Sequence, residues 1–136
     1  MQRMIAIDYG ERRIGVAASE GRLALPLTIV EHESRAADLD RIVAIARERE
    51  ATAVVVGLPV GVSGEEHEQA RRARRFGDAL ARRLTVPVVY QDELLSTKDA
   101  RAAARVAAPT RRVRHVDDRA AAVILQAYLD EMEPPP

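Results

Sequence analysis

Residues 4–19 read MIAIDYGERRIGVAAS, and this stretch decides the fold. The apolar run Met4-Ile5-Ala6-Ile7 ends on a carboxylate, Asp8, followed at once by Tyr9 and Gly10. The run reads as a buried strand, and an acid at the mouth of one is costly unless something pairs with it. Ile14, Val16 and Ala18 then alternate with Arg13, Gly15 and Ala17, the period of a second strand. Tyr9-Gly10-Glu11-Arg12 between them form a hairpin turn, with Gly10 expected to supply the positive φ that such turns often need.

Working outward, residues 22–30 (RLALPLTIV) form a third strand, and Pro26 in its middle makes it an edge. Ser34 is placed to cap a helix over about 35–50, with Leu39, Ile42, Val43, Ile45 and Ala46 facing inward. Ala53-Val54-Val55-Val56 suits a strand covered on both faces, and Gly57-Leu58-Pro59 ends it. After a loop at 60–64, a helix over about 65–84 starts acidic and ends basic, matching the helix dipole. Residues 86–90 give a fifth strand, placed near the other edge by Pro87. Ser96-Thr97-Lys98-Asp99 has the form of a capping box opening a helix to about 107, which Pro109 stops. Residues 108–116 form a basic loop. A last helix over about 117–132 has Ala121, Ile124, Leu125, Tyr128 and Met132 at core spacing.

With strands 3 and 5 at the edges and 1 and 4 central, a mixed sheet of order 3-2-1-4-5 satisfies every constraint. Strands 1, 4 and 5 are then parallel and joined by right-handed helical crossovers. That is an α/β fold of ribonuclease H-like architecture, a five-stranded sheet flanked by helices. The 136 residues suffice for a single domain, expected over 1–133 with a disordered tail at 134–136. There is no cysteine, hence no disulfide and no thiolate metal site. No apolar stretch is long enough to span a membrane, and no secretory signal is visible, so a soluble cytoplasmic protein is expected.

The net charge is zero, but the charge is segregated. Arg71, Arg72, Arg74, Arg75, Arg82 and Arg83 share residues 71–83 with a single acid, Asp78. Six more arginines fall in 101–119, among them Arg111, Arg112 and Arg114, next to His115. Such stretches suit a phosphate backbone, although on charge alone solvated helix faces in an arginine-preferring organism, where Lys98 is the only lysine, are the simpler explanation.

The acids supply the chemistry. Ligands of α/β sheets bind outside the C-terminal ends of the strands. Asp8 ends strand 1, Asp92 and Glu93 follow strand 5, and Asp117 and Asp118 start the last helix. If that helix crosses the sheet, carboxylates far apart in sequence meet at one edge. Crowded carboxylates repel one another and hold protons unless a cation sits among them. An all-oxygen cluster suits Mg²⁺ or Mn²⁺. Two such ions activate water and stabilise both oxygens of an in-line displacement at phosphorus. Taken singly, Asp8 reads equally well as a turn former, Glu93 as a solvated loop acid, Asp117 or Asp118 as a helix cap, and His115 as a surface residue.

Four stretches, AIDYGERRIGVA, VVVGLP, DELLSTKDA and VDDRAAAVILQAYL, resemble the YqgF/RuvX family of Holliday junction resolvases and pre-16S rRNA nucleases. The resemblance runs from residue 6 to 129. It implies a ribonuclease H-like, metal-dependent nuclease acting on branched DNA or precursor rRNA. It also implies catalytic, metal-holding acids at Asp8, Glu93 and Asp117, with Asp118 as the neighbouring candidate. The chain departs from the family where Leu94 replaces a usual arginine, and where Gly61 and Ser63 stand for a usual Asn and Asp.

The leading reading is therefore a divalent-metal nuclease that grips phosphates through Arg71, Arg72, Arg74, Arg75, Arg111, Arg112, Arg114 and His115. A homodimer is expected if it cuts junctions symmetrically, although no heptad or apolar patch announces an interface. The alternative is a non-catalytic nucleic-acid-binding module in ribosome assembly. A third, a nucleotide phosphotransferase of the actin-hexokinase type, needs two such domains where this length supplies one.

Overall fold

The computed structural model describes residues 2–60, 65–93 and 118–132. Five strands, β1 (Met4–Tyr9), β2 (Arg13–Glu20), β3 (Leu23–Glu31), β4 (Ala53–Leu58) and β5 (Val88–Asp92), form one sheet. Three helices, α1 (Arg35–Glu48), α2 (Glu68–Arg83) and α3 (Asp118–Met132), flank it. The strand order is β3-β2-β1-β4-β5, with β1 antiparallel to β2, β2 antiparallel to β3, and β1, β4 and β5 parallel.

Each edge strand has its proline, Pro26 inside β3 and Pro87 just before β5, which starts at Val88 rather than 86. Pro26 lies in β3 opposite Ala17, beside a register shift: Val16 faces Thr28 while Ala17 faces Pro26, so Leu27 is the extra residue. A bulge there suits an edge strand that cannot donate at its proline. The central strands are the most buried, and all six residues of β4 are inside.

Alternation divides the core into two layers. Ile5, Ile7, Ile14, Val16, Val54 and Val56 pack against α1 and α2, chiefly Ile42, Val43, Phe76 and Leu80. Met4, Ala6, Ala17, Ala53 and Val55 pack against α3 through Ala121, Ala122, Ile124 and Leu125. Burying each large side chain contributes about 1.5–3 kcal/mol. The small residues on the second face let α3 lie close to the sheet. Gln126, 2% exposed, fixes it in register: its Oε1 accepts from Ala24 N at 3.0 Å and its Nε2 donates to Arg22 O at 2.9 Å. These bonds occupy backbone groups at the start of the edge strand.

The local signals hold with small changes. Ser34 caps α1, its Oγ accepting from Ala37 N at 3.1 Å, a bond worth about 1 kcal/mol. Helix α2 begins at Glu68 rather than 65, and His67 caps it without a side-chain bond. Met132 is 42% exposed, outside the core where its spacing placed it. Gly10 does not have the positive φ expected of it; among the described glycines only Gly21 does. The reason for glycine is close approach: a Cβ at Gly10 would lie 2.8 Å from the carbonyl oxygen of Arg13, whose bond from Gly10 N at 3.0 Å closes the turn. The helix expected at 96–107, the loop at 108–116 and the tail at 134–136 lie outside the described residues, as do residues 61–64.

A pair that no local pattern announced holds the β1–β2 turn. His32 Nδ1 lies 2.8 Å from Asp38 Oδ2, and His32 Nε2 lies 2.8 Å from Gly10 O. Both partners are acceptors, so both ring nitrogens donate when the two bonds are made together. Asp38, 3% exposed, also accepts from Glu33 N at 3.0 Å, and His32 N donates to Arg12 O. Asp38→Ala leaves the ring's Nδ1 and Glu33 N unpartnered while Nε2 keeps Gly10 O. It is expected to cost about 2–4 kcal/mol, roughly 10 °C in melting temperature. Asp40→Ala, which removes only an exposed pair with Arg83, is expected to cost under about 1 kcal/mol. Equal melting temperatures for the two variants would refute a structural role for the buried pair.

Candidate active site

Asp8 is the fifth residue of β1, half-buried, and pairs across the hairpin with Gly15. Side chains alternate along a strand. Met4 and Ala6 belong to the layer under α3, so Asp8 faces α3 as well. On β4, Ala53 and Val55 face the same way, and so does the Cα–H of Gly57. Gly57 follows Val56, the partner of Ile7, so it lies beside Asp8 one strand away, about 4.8 Å.

Gly57 is where the next acid enters. A Cβ built there would lie 3.1 Å from the carboxyl carbon of Glu93 and 2.4 Å from Cδ1 of Ile124 in α3. The missing side chain is the space that the Glu93 carboxyl and the helix occupy. Glu93 directly follows β5, and its N–H donates to Leu58 O at 2.8 Å, which extends the parallel pairing by one residue and fixes its backbone. Asp8 and Glu93 are thus brought to one edge and one face of the sheet, on strands 1 and 5 with Gly57 between them. Asp92, the last residue of β5, is exposed.

Asp118 opens α3. Asp117, Arg111, Arg112, Arg114 and His115 lie outside the described residues. No three Asp, Glu, His or Cys side chains gather into one cluster among the described residues.

The arginines of α2 stand on the other face, at the same end of the sheet, where Gln69 Nε2 donates to Tyr9 O at 2.6 Å. They are engaged by acids. Arg74 makes a two-pronged contact with Glu66, while Arg71, Arg72 and Arg75 share the one carboxylate of Glu68. The hydrogen bonds from Arg74 and Arg75 hold the Glu66 and Glu68 carboxyls below their ordinary pKa. Burial holds the Tyr9 hydroxyl above its ordinary value, with Asp38 adding to the effect and Arg35, Arg72 and Arg75 opposing it. Sequence reading placed the arginines on this helix and missed that Glu66 and Glu68 would take them up. It also missed Gly57, whose small side chain looked like the end of a strand.

Residues 2–131 match the family described as RuvX: Holliday junction resolvase. A relative from Anaeromyxobacter sp. (strain Fw109-5), named "Putative pre-16S rRNA nuclease", is 46% identical over 94% of this chain and 96% of its own length. One of the same name from Gloeobacter violaceus is 42% identical over 93% and 83%. Among solved structures, Thermus thermophilus RuvC in complex with a Holliday junction substrate superposes with a TM-score of 0.68 at 15% identity, over 98% of each chain. A second T. thermophilus RuvC structure gives 0.62 at 16% identity, over 96% of each. At such identity the superpositions establish the ribonuclease H-like fold. The chain belongs to the RuvX family, described as Holliday junction resolvases, and is on that ground a nuclease.

Proposed function

We propose that this nuclease hydrolyses phosphodiester bonds with divalent ions, Mg²⁺ or Mn²⁺, held by Asp8, Glu93 and Asp117, with Asp118 adjacent. The observation that carries this is the convergence of Asp8 and the Glu93 carboxyl across the bare backbone of Gly57. The donor set fits a hard cation: both groups are carboxylates, and the cradle between them is one that a Cβ would fill. When bound, such ions lower the pKa of water and neutralise charge on the phosphate. The chain's own part is placement. Strand β1 holds Asp8 in the sheet centre, the bond from Glu93 N to Leu58 O holds Glu93, and Ile124 of α3 packs against Gly57 on the inner side.

The substrates are branched DNA or the precursor of 16S rRNA, as the names of the family and of its relatives suggest. With Phe76 buried and three tyrosines in the chain, base stacking contributes little, so recognition is of backbone and shape. Arg71, Arg72 and Arg75 contribute if phosphates compete with Glu68 for them; Arg74, Arg111, Arg112, Arg114 and His115 complete the proposed set. The protein acts in the cytoplasm, where both substrates occur. Among the described residues no helix is long and apolar enough to cross a membrane.

The test is incubation with a four-way DNA junction and, separately, a precursor-rRNA fragment, with Mn²⁺ or EDTA. Metal-dependent paired nicks in the junction are expected of a resolvase, and metal-dependent trimming of the RNA of an rRNA nuclease. Tight binding without cleavage of either would replace this reading with a non-catalytic module in ribosome assembly.

A further inference from the structure

We infer that Arg12 and Arg13, on the β1–β2 turn, form a second phosphate-binding element that holds the nucleic-acid backbone next to the bond cut at Asp8. The inference rests on the nuclease reading above and assigns its substrate contacts. A cavity of about 290 Å³ opens at this turn, bordered by Asp8, Glu11, Arg12, Arg13, Gly15 and Ile29. It is the space beside Asp8 on the β2 side, away from Glu93. Gly15 pairs with Asp8 and has no side chain to fill it.

The charge inventory singles these arginines out. Elsewhere the guanidinium groups near this end of the molecule are engaged: Arg74 by Glu66, Arg71, Arg72 and Arg75 by Glu68, Arg41 by Glu33, and Arg35 by the backbone carbonyl of Arg75. Among the described residues the side chains of Arg12 and Arg13 have no carboxylate partner. Two cationic forks at the rim of a cavity that holds the reacting carboxylate suit a phosphate, which arginine grips through two parallel N–H bonds. Glu11, at the exposed tip, borders the same cavity.

The turn is built to stay in place. Its closing bond runs from Gly10 N to Arg13 O, and His32 ties both Arg12 O, through its N–H, and Gly10 O, through its ring. The ring is held in turn by Asp38, which is buried. A loop that only connected two strands has no need of a buried carboxylate and a histidine ring beneath it. A loop that positions two arginines to within a few tenths of an ångström does.

The experiment measures binding of full-length protein to the four-way junction and to the precursor-rRNA fragment. The parent carries Asp8→Asn so that nothing is cut. Arg12→Ala and Arg13→Ala are each expected to weaken binding about tenfold and to flatten the slope of log affinity against log salt by about one. Arg47→Ala serves as control: Arg47 lies in the last turn of α1, at the opposite edge of the sheet, also without an ion pair among the described residues. It is expected to leave both quantities unchanged. Melting temperatures equal to the parent's exclude misfolding. Unchanged affinity and slope in both arginine variants, or an equal loss in Arg47→Ala, would overturn the inference. If the protein with Asp8 intact cuts neither nucleic acid while binding still depends on Arg12 and Arg13, the phosphate element stands and the nuclease reading falls. If it cuts, and the two variants bind and cut like their parents, the reverse holds.

Discussion

Asp8→Asn is expected to lower metal-dependent cleavage by about a thousandfold or more while leaving nucleic-acid affinity within about threefold. The carboxylate sits in a central strand with fixed backbone, on the face shared with Glu93. The amide has the same shape and keeps one oxygen, but it lacks the charge that a hard cation requires. Single-turnover cleavage and a binding titration, run on the same preparation, separate the two effects. A second readout concerns folding. In metal-free buffer the variant is expected to melt within about 3 °C of the wild type, because the amide keeps the shape of the carboxylate and one accepting oxygen. Cleavage that persists, or a clear fall in melting temperature, would return Asp8 to the role of a turn former.

The second large effect lies at Gly57. Gly57→Ala puts a methyl 2.4 Å from Cδ1 of Ile124 and 3.1 Å from the carboxyl carbon of Glu93. Ile124 is 3% exposed and packed in the layer beneath α3, so relief requires the helix to lift or the side chain to leave its rotamer. The expected cost is about 1–3 kcal/mol. Displacement of Glu93 by a few tenths of an ångström is expected to slow cleavage by about tenfold on top of that. The double variant Gly57→Ala/Ile124→Val separates the causes. Removing Cδ1 is expected to restore most of the stability, while the contact with Glu93, and the slow cleavage, remain. If the double variant cuts at the wild-type rate, Gly57 matters only for packing.

Much of the architecture was legible because it rests on local chemistry. Pro26 and Pro87 marked the edges, the apolar runs at 4–7 and 53–56 marked the centre, and Ser34 announced its helix. Asp8 stood out because an acid at the end of an apolar strand needs a reason. What the sequence concealed was every contact across a long span. Gln126 and Ala24 are 102 residues apart, and nothing in either neighbourhood points to the other. His32 and Asp38 read as a strand-end residue and a first-turn acid of a helix; only the folded turn shows that they hold Gly10 from below. The arginines of α2 looked like a ready phosphate surface, and the glutamates that draw them in lie just upstream. Gly10 was assigned the right residue for the wrong reason, since its constraint is space and not a left-handed backbone.

The bond between Gln126 and the start of β3 also bears on the order in which the layers of this molecule assemble. The sheet and the two helices on its other face are complete in the first 92 residues, and α3 comes last in the chain. Until α3 docks, the face that carries Asp8 is an open apolar surface over Met4, Ala6 and Val55. Contacts of such separation form late because they must overcome the entropy of closing a long loop. The last helix therefore closes a face that the rest of the sheet leaves apolar and open to unwanted association.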